Sequence, residues 1–132
     1  IIDCAGSENG LKPLASFIDV LNHAKVYIVV NLNRIESRFE SISELIDLFE
    51  NRSHLKISGL VHNTHLLDET TSNMIIDAQK KCEYLSQQLN LPIVYTMISK
   101  EFYQDCKEMI HNECVVYDKL ILREYWMKGE TL

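Results

Sequence analysis

The chain has 132 residues with 13 basic against 19 acidic side chains, a formal net charge of −6. That length is one domain's worth and can bury a real core. An acidic chain without a Lys/Arg run lacks the clustered cations that neutralise nucleic-acid phosphates, so direct DNA or RNA binding is disfavoured. No apolar stretch approaches the roughly 20 residues needed to span a bilayer, and the start has no signal-peptide layout.

In chain order, Ile1-Ile2 reads as the end of an apolar strand that stops at Asp3 and runs into Cys4-Ala5-Gly6. Leu14 to His23 carries Leu14, Phe17, Ile18 and Leu21 on one helical face. Val26 to Val30 is nearly continuous and β-branched, as expected of a strand covered on both faces. Ser37 and Glu40 have capping-box spacing before a stripe of Phe39, Ile42, Leu45, Ile46 and Phe49. Lys56 to Val61 reads as a third strand.

From Glu69 to Asn90, Ile75, Ala78, Cys82, Leu85 and Leu89 step by three and four, the clearest helical pattern in the chain. Asn90 and Pro92 mark its end. Pro92 to Ile98 reads as a fourth strand, and a helix is expected from about Glu101 to Asn112. Val115 to Trp126 fits either a strand at Val115-Val116-Tyr117 or a helix with Leu120, Ile121 and Tyr125 inward. The alternation predicts a single α/β domain over residues 1–132, in three layers: a mostly parallel sheet with helices on both faces.

In open parallel sheets, ligands bind beyond the carboxyl ends of the strands. Asp3, Asn31, His62-Asn63-Thr64 and Ser99-Lys100 collect on that edge. Asp3 has two readings. It can hold Mg²⁺ through a water, because that ion keeps most of its hydration shell, or it can cap the helix that follows. Gly6 leaves room for a backbone amide to approach a phosphate. His62, His65 and Asp68 step by three and could offer ligands to a transition metal, with Asp68 also placed to cap a helix at Glu69. His23, His54 and His111 read as isolated surface residues. Cys4, Cys82, Cys106 and Cys114 show neither CxxC nor paired spacing. They point to a reducing cytoplasm, with Cys82 and Cys106 as small core residues. No Gly-x-Ser-x-Gly elbow is present.

Ile-Ile-Asp-Cys-Ala-Gly, Val-Tyr-Ile-Val-Val-Asn, Ser-Gly-Leu-Val-His-Asn-Thr-His-Leu-Leu-Asp-Glu-Thr-Thr and Leu-Asn-Leu-Pro-Ile-Val-Tyr occur in this order over residues 1–100. The series resembles the later part of the MinD/ParA/CobQ group of P-loop ATPases. The resemblance implies a partial P-loop NTPase fold, ATP and Mg²⁺ as cofactors, and a nucleotide-dependent homodimer whose hydrolysis cycle switches protein partners. It makes Asp3 the Walker B aspartate, Gly6 the glycine near the γ-phosphate, and Asn63 the reader of adenine, with Ile98, Ser99 and Lys100 as the loop packed on the base. Asn supplies both a donor and an acceptor, which suits adenine. No Asp stands three positions after Asn63, as guanine readers of this superfamily have, so ATP is preferred over GTP. The phosphate-binding Gly-x-x-x-x-Gly-Lys-Ser/Thr loop is absent from this sequence. Only two residues precede Asp3 and neither is methionine. The expectation is therefore the carboxyl-terminal part of a nucleotide-binding domain, inactive on its own. The alternative is a non-catalytic α/β interaction module.

Overall fold

The computed structural model describes residues 1–4, 13–37 and 39–118. Four strands, β1 (Val26–Val30), β2 (Ile57–His62), β3 (Ile93–Ser99) and β4 (Glu113–Tyr117), form one sheet in the order β1-β2-β3-β4. Every neighbouring pair is parallel. Between them run α2 (Phe39–Ser53), α3 (Ser72–Leu89) and α4 (Lys100–Cys106), with the short α1 (Ile18–Leu21) before β1. Among the described residues, no helix is long and apolar enough to cross a membrane.

The strands lie in sequence order, so crossovers of one hand return all three helices to the same face. The register shows which face. Val30 stands opposite His62, and His62 opposite Thr96. Thr96 in turn faces Cys114, and Ile98 faces Val116. Residues from this face make the core. Val30, Leu60, Ile42 of α2, and Cys82 and Leu85 of α3 form one apolar cluster. Ile98 joins Ile75, Cys106 of α4 and Ile110 in a second. A third, of Leu14, Phe49, Leu55 and Ile57, closes the end of the sheet where the strands begin.

The α/β class and parallel sheet match the expectation, but the expected cover on both faces is met on one face only among the described residues. The reason is topological: a sheet wound in a single direction never reverses its crossovers. The other face carries Tyr27, Val29, Val61, Tyr95, Met97, Val115 and Tyr117.

Several boundaries differ from the sequence reading. Ile1-Ile2 is not a strand, and both side chains are exposed. Two residues without a neighbour to pair with make no ladder, and among the described residues no strand pairs with the outer edge of β1. The helix expected over 14–23 is interrupted: residues 13–15 are helical, a turn at 16–17 follows, and α1 resumes at Ile18 and ends at Leu21. Ser37 does not cap α2, because its hydroxyl accepts the Asn31 N–H at 3.1 Å instead and a 3₁₀ turn over Ile35–Ser37 intervenes. The long helix begins at Ser72, not Glu69. Its cap is Thr71, whose side chain accepts the Met74 N–H at 3.3 Å, while Asp68 sits in a 3₁₀ turn over Leu67–Glu69. Asn90 ends α3 in the left-handed conformation, as its position before Pro92 implied. The helix expected as far as Asn112 stops at Cys106 and tightens into a 3₁₀ turn over Lys107–Met109. The ambiguous tail resolves as β4 at its start; Leu120, Ile121, Tyr125 and Trp126 lie outside the described residues.

Gly59 is required by a close approach. A Cβ there would lie 2.9 Å from the Pro92 carbonyl oxygen and 2.5 Å from Val94 Cγ2. The Leu60 N–H donates to that same Pro92 oxygen at 2.8 Å, where the β2–β3 pairing shifts register.

Candidate functional site

The carboxyl ends of the strands open into two adjoining cavities. The first, of about 360 Å³, lies beyond β2, β3 and β4 and has Thr64, His65, Asp68, Ser99, Glu101 and Asp118 on its polar side. Its apolar wall is Ile75, Met97, Ile98, Phe102 and Tyr117. The second, of about 430 Å³, lies beside the free edge of β1 and is bounded by Asn31, Arg34, Ser37, Ile42, Asn63 and His65. His65 borders both.

The chemistry of the two differs. Three carboxylates stand around the first cavity, which makes it hostile to phosphate and receptive to hydrogen-bond donors set against an apolar wall. Burial, and then the Glu101 carboxylate, push the Tyr117 hydroxyl above its ordinary pKa, so it stays a neutral donor. The second cavity carries Arg34 and two carboxamides in place of acids.

A buried polar network underlies both cavities. His62, on the helix-covered face, is 1% exposed. Its Nδ1 lies 2.8 Å from Gln79 Oε1 and its Nε2 lies 2.8 Å from Thr64 Oγ1. A carboxamide oxygen only accepts, so Nδ1 carries the proton and Nε2 accepts the Thr64 hydroxyl hydrogen. Thr64 Oγ1 in turn accepts the Leu32 N–H at 3.0 Å, which ties the loop after β1 to the loop after β2. Gln79 Oε1 also accepts the Thr96 hydroxyl at 3.0 Å, and Gln79 Nε2 donates to Asn112 Oδ1 and Glu83 Oε1. Among the described residues no buried side-chain N or O lacks a partner.

This arrangement accepts only a neutral imidazole. Burial, offset in part by Gln79 and Glu83, lowers the His62 pKa from its ordinary 6.5. Between the depressed folded value and 6.5, the unfolded chain binds a proton that the folded chain refuses. Stability therefore rises with pH across that window. The network's full contribution is present above about pH 6.5 and is lost as the pH falls towards the folded pKa. Urea midpoints measured from pH 7.5 down to pH 5 should fall, and His62→Gln should flatten the slope.

The structure distributes the expected site residues unevenly. Asp3 is exposed and ends no strand. Cys4 beside it packs on the cluster of Leu14, Phe49, Leu55 and Ile57, by the ends of the strands remote from His62. Gly6 lies outside the described residues. Asn63 is where it was expected, just past β2, its N–H donating to Val30 O at 2.9 Å, and it borders the second cavity. Ile98 and Ser99 border the first. Ile98 is nevertheless mostly core, at 1% exposure, and Ser99 Oγ donates to Glu101 Oε1 at 3.3 Å. Lys100 is exposed and pairs with Asp118 at 3.0 Å. Asn63 and Ser99 therefore stand on neighbouring cavities separated by His65.

His62, His65 and Asp68 form no metal cluster; among the described residues there is no group of three potential ligands. Each nitrogen of His62 is already engaged. His23, His54 and His111 are exposed, as expected. Cys82 and Cys106 are buried free thiols, as expected. Burial and the Glu83 carboxylate push the Cys82 thiol up to about 12, leaving it inert.

Sequence reasoning missed the Gln79 network and the acidic rim of the first cavity. Gln79 did leave a signal: it falls one position after Ala78 on the buried stripe of α3, where a polar side chain needs partners. Glu101, Tyr117 and Asp118 left none, since they converge only through tertiary structure. No family model matches the chain, and no curated protein or solved structure is similar to it.

Proposed function

We propose that this chain supplies the base-binding side of an adenine-nucleotide site, as the later part of an ATPase of the MinD/ParA/CobQ type. The observation carrying this reading is the first cavity. An apolar wall of Ile75, Met97, Phe102 and Tyr117 faces acceptors on Asp68 and Glu101, a setting suited to a flat base bearing an amino group. Asn63 and Arg34 border the cavity next to it, away from those carboxylates, on the side better suited to the ribose and phosphates. The unpaired edge of β1 is where a further parallel strand would add and lead a phosphate-cradling loop to the same rim. Asp3 lies by the opposite ends of the strands, beside Cys4, and takes no part in the site proposed here. Hydrolysis, dimerisation and partner switching follow from the resemblance, not from these cavities.

The test is thermal melting with and without Mg·ATP, in the longer protein that carries the phosphate loop. ATP at 100 times its dissociation constant should stabilise by about 2.7 kcal/mol. Asn63→Ala should weaken ATP about tenfold, about 1.4 kcal/mol of hydrogen bonding. No response to ATP would refute the site. The second reading, a non-catalytic interaction module, draws on the same β1 edge, which can also accept a strand from a protein partner.

A further inference from the structure

The buried network beneath the rim closes around a single proton. Thr64 Oγ1 stands between two partners: it donates its hydrogen to His62 Nε2 at 2.8 Å and accepts the Leu32 N–H at 3.0 Å. On the other side of the ring, the Gln79 oxygen at 2.8 Å holds the Nδ1 hydrogen in place. Nε2 is therefore the nitrogen left to take up a further proton, and Thr64 already fills it. Thr64 is itself buried, yet it borders the first cavity together with Asp68, Ser99 and Glu101.

We propose that His62 is a proton-operated latch on the rim: a proton taken up at Nε2 turns the Thr64 hydroxyl out towards the first cavity and loosens its hold on the Leu32 N–H. One proton enters from solvent and one N–H bond forms; no other covalent bond changes. Nε2 then donates where it had accepted. The Thr64 oxygen receives that hydrogen only by rotating its own away about the Cβ–Oγ1 bond. The carboxylates of Asp68, Glu101 and Asp118 around the cavity make that side receptive to a hydroxyl hydrogen. A charge-assisted hydrogen bond from an imidazolium is roughly twice as strong as a neutral one. The Leu32 N–H is left with the weaker share of the oxygen.

The surroundings of the ring set when the latch opens. Burial opposes the charge, and Glu83 of α3 is the acid whose field favours it. Glu83 is linked to the ring through Gln79, whose Nε2 donates to it at 3.1 Å. The other members of the network, Thr64, Thr96 of β3 and Asn112 before β4, are neutral. On the rim, Lys100 already pairs with Asp118. The latch is therefore shut at neutral pH and opens below pH 6.5. Once open, the first cavity has a hydroxyl donor that it lacks at neutral pH. An occupant presenting an acceptor to Thr64 is then bound with uptake of a proton. The inference concerns the wall of the cavity and is independent of the nucleotide reading.

Nuclear magnetic resonance of the full 132-residue chain, labelled with ¹⁵N, tests this from pH 7.5 down to the acid unfolding transition. At pH 7.5 the His62 side chain should show the proton on Nδ1 alone. On acidification Nε2 should gain a proton, and the amide signals of Leu32 and Thr64 should move with the same midpoint. Exchange at Leu32, relative to its intrinsic rate at each pH, should quicken several-fold, while Leu91 and Val94 at the other end of the sheet stay unchanged. Thr64→Ser, which keeps the hydroxyl, should keep the shared midpoint. His62→Gln should abolish the Leu32 response; if that variant does not fold, the wild-type titration decides alone. A His62 ring that stays neutral until the whole chain unfolds would overturn the proposal. So would a Leu32 signal that ignores the His62 midpoint or follows that of His65, the titratable neighbour on the same loop.

Discussion

Gln79→Leu is expected to destabilise the chain by about 3 kcal/mol, although leucine fills nearly the same space and belongs to the apolar stripe of α3. Gln79 is 1% exposed, and its oxygen is the acceptor for both His62 Nδ1–H and the Thr96 hydroxyl. Removing it leaves the imidazole N–H buried without an acceptor. Each such orphan costs about 1–3 kcal/mol, far more than a hydrogen bond contributes net when both partners are present. Thr96 can turn its hydroxyl to Asn112 Oδ1, 3.3 Å away, and recover part of its loss. His62 has no equivalent alternative, because its other nitrogen is committed to Thr64. The double variant Gln79→Leu with His62→Leu should therefore cost less than the sum of the two single changes, since it removes donor and acceptor together. Urea unfolding of the four proteins measures this. Additive costs would show that the imidazole and the carboxamide do not depend on each other.

The second large effect is at Gly59. Gly59→Ala places a methyl group 2.9 Å from a backbone oxygen, and backbone cannot move aside as the end of a side chain can. The Val94 side chain, 2.5 Å away, has to shift as well. The substitution should cost about 1–3 kcal/mol, as overpacking of a close-packed interior does. It should also loosen the β2–β3 pairing, because the Pro92 oxygen that the methyl group crowds is the acceptor of the Leu60 N–H. Amide hydrogen exchange at Leu60 should quicken in the variant relative to Val61. Ser58→Ala, on the neighbouring residue, is the control, and there the loss is limited to the hydrogen bond that Ser58 Oγ accepts from Val26 N at 3.3 Å.

The two changes together test which parts of the molecule hold the rim. The loop after β1 and the loop after β2 meet through Thr64 and Leu32, and Asn31 Nδ2 donates to the His65 carbonyl at 3.0 Å. The first of these contacts stands on His62 through Thr64, and His62 stands on Gln79. A loss of stability at Gln79 should therefore be accompanied by faster exchange at Leu32, more than 40 positions earlier in sequence. That coupling links the packing of α3 to the geometry of the two cavities.

Much of the fold was legible because its signals are local. Val26 to Val30 and Pro92 to Ile98 are dense in β-branched and aromatic side chains, and strands formed there to within a residue or two. The stripe Ile75, Ala78, Cys82 and Leu85 is buried as its period implied. The misreadings share one cause: a cap or a short strand depends on a partner. Ser37 and Glu40 match a capping box, yet the Ser37 hydroxyl is taken by Asn31, a competitor that spacing cannot reveal. Ile1-Ile2 has strand composition, but composition does not supply the neighbour a strand must pair with. Asn63 was legible as a rim residue because the end of an apolar strand is marked in sequence. Its separation from Ser99 by His65 was not, since it depends on how two loops pack.

The amino-acid sequence by itself determined the alternation of strand and helix, the buried stripe of α3 with Cys82 in it, and the absence of a phosphate-binding loop from these 132 residues. Those properties depend on residue type and on spacing within a turn or two. Tertiary structure alone decided that the strands stack in one direction, that the described helices share one face, and that His62, Gln79, Thr96 and Asn112 meet in one buried network. Such contacts join residues 16 to 33 positions apart. Their energy comes from mutual desolvation, which a chain acquires only once it has closed on itself.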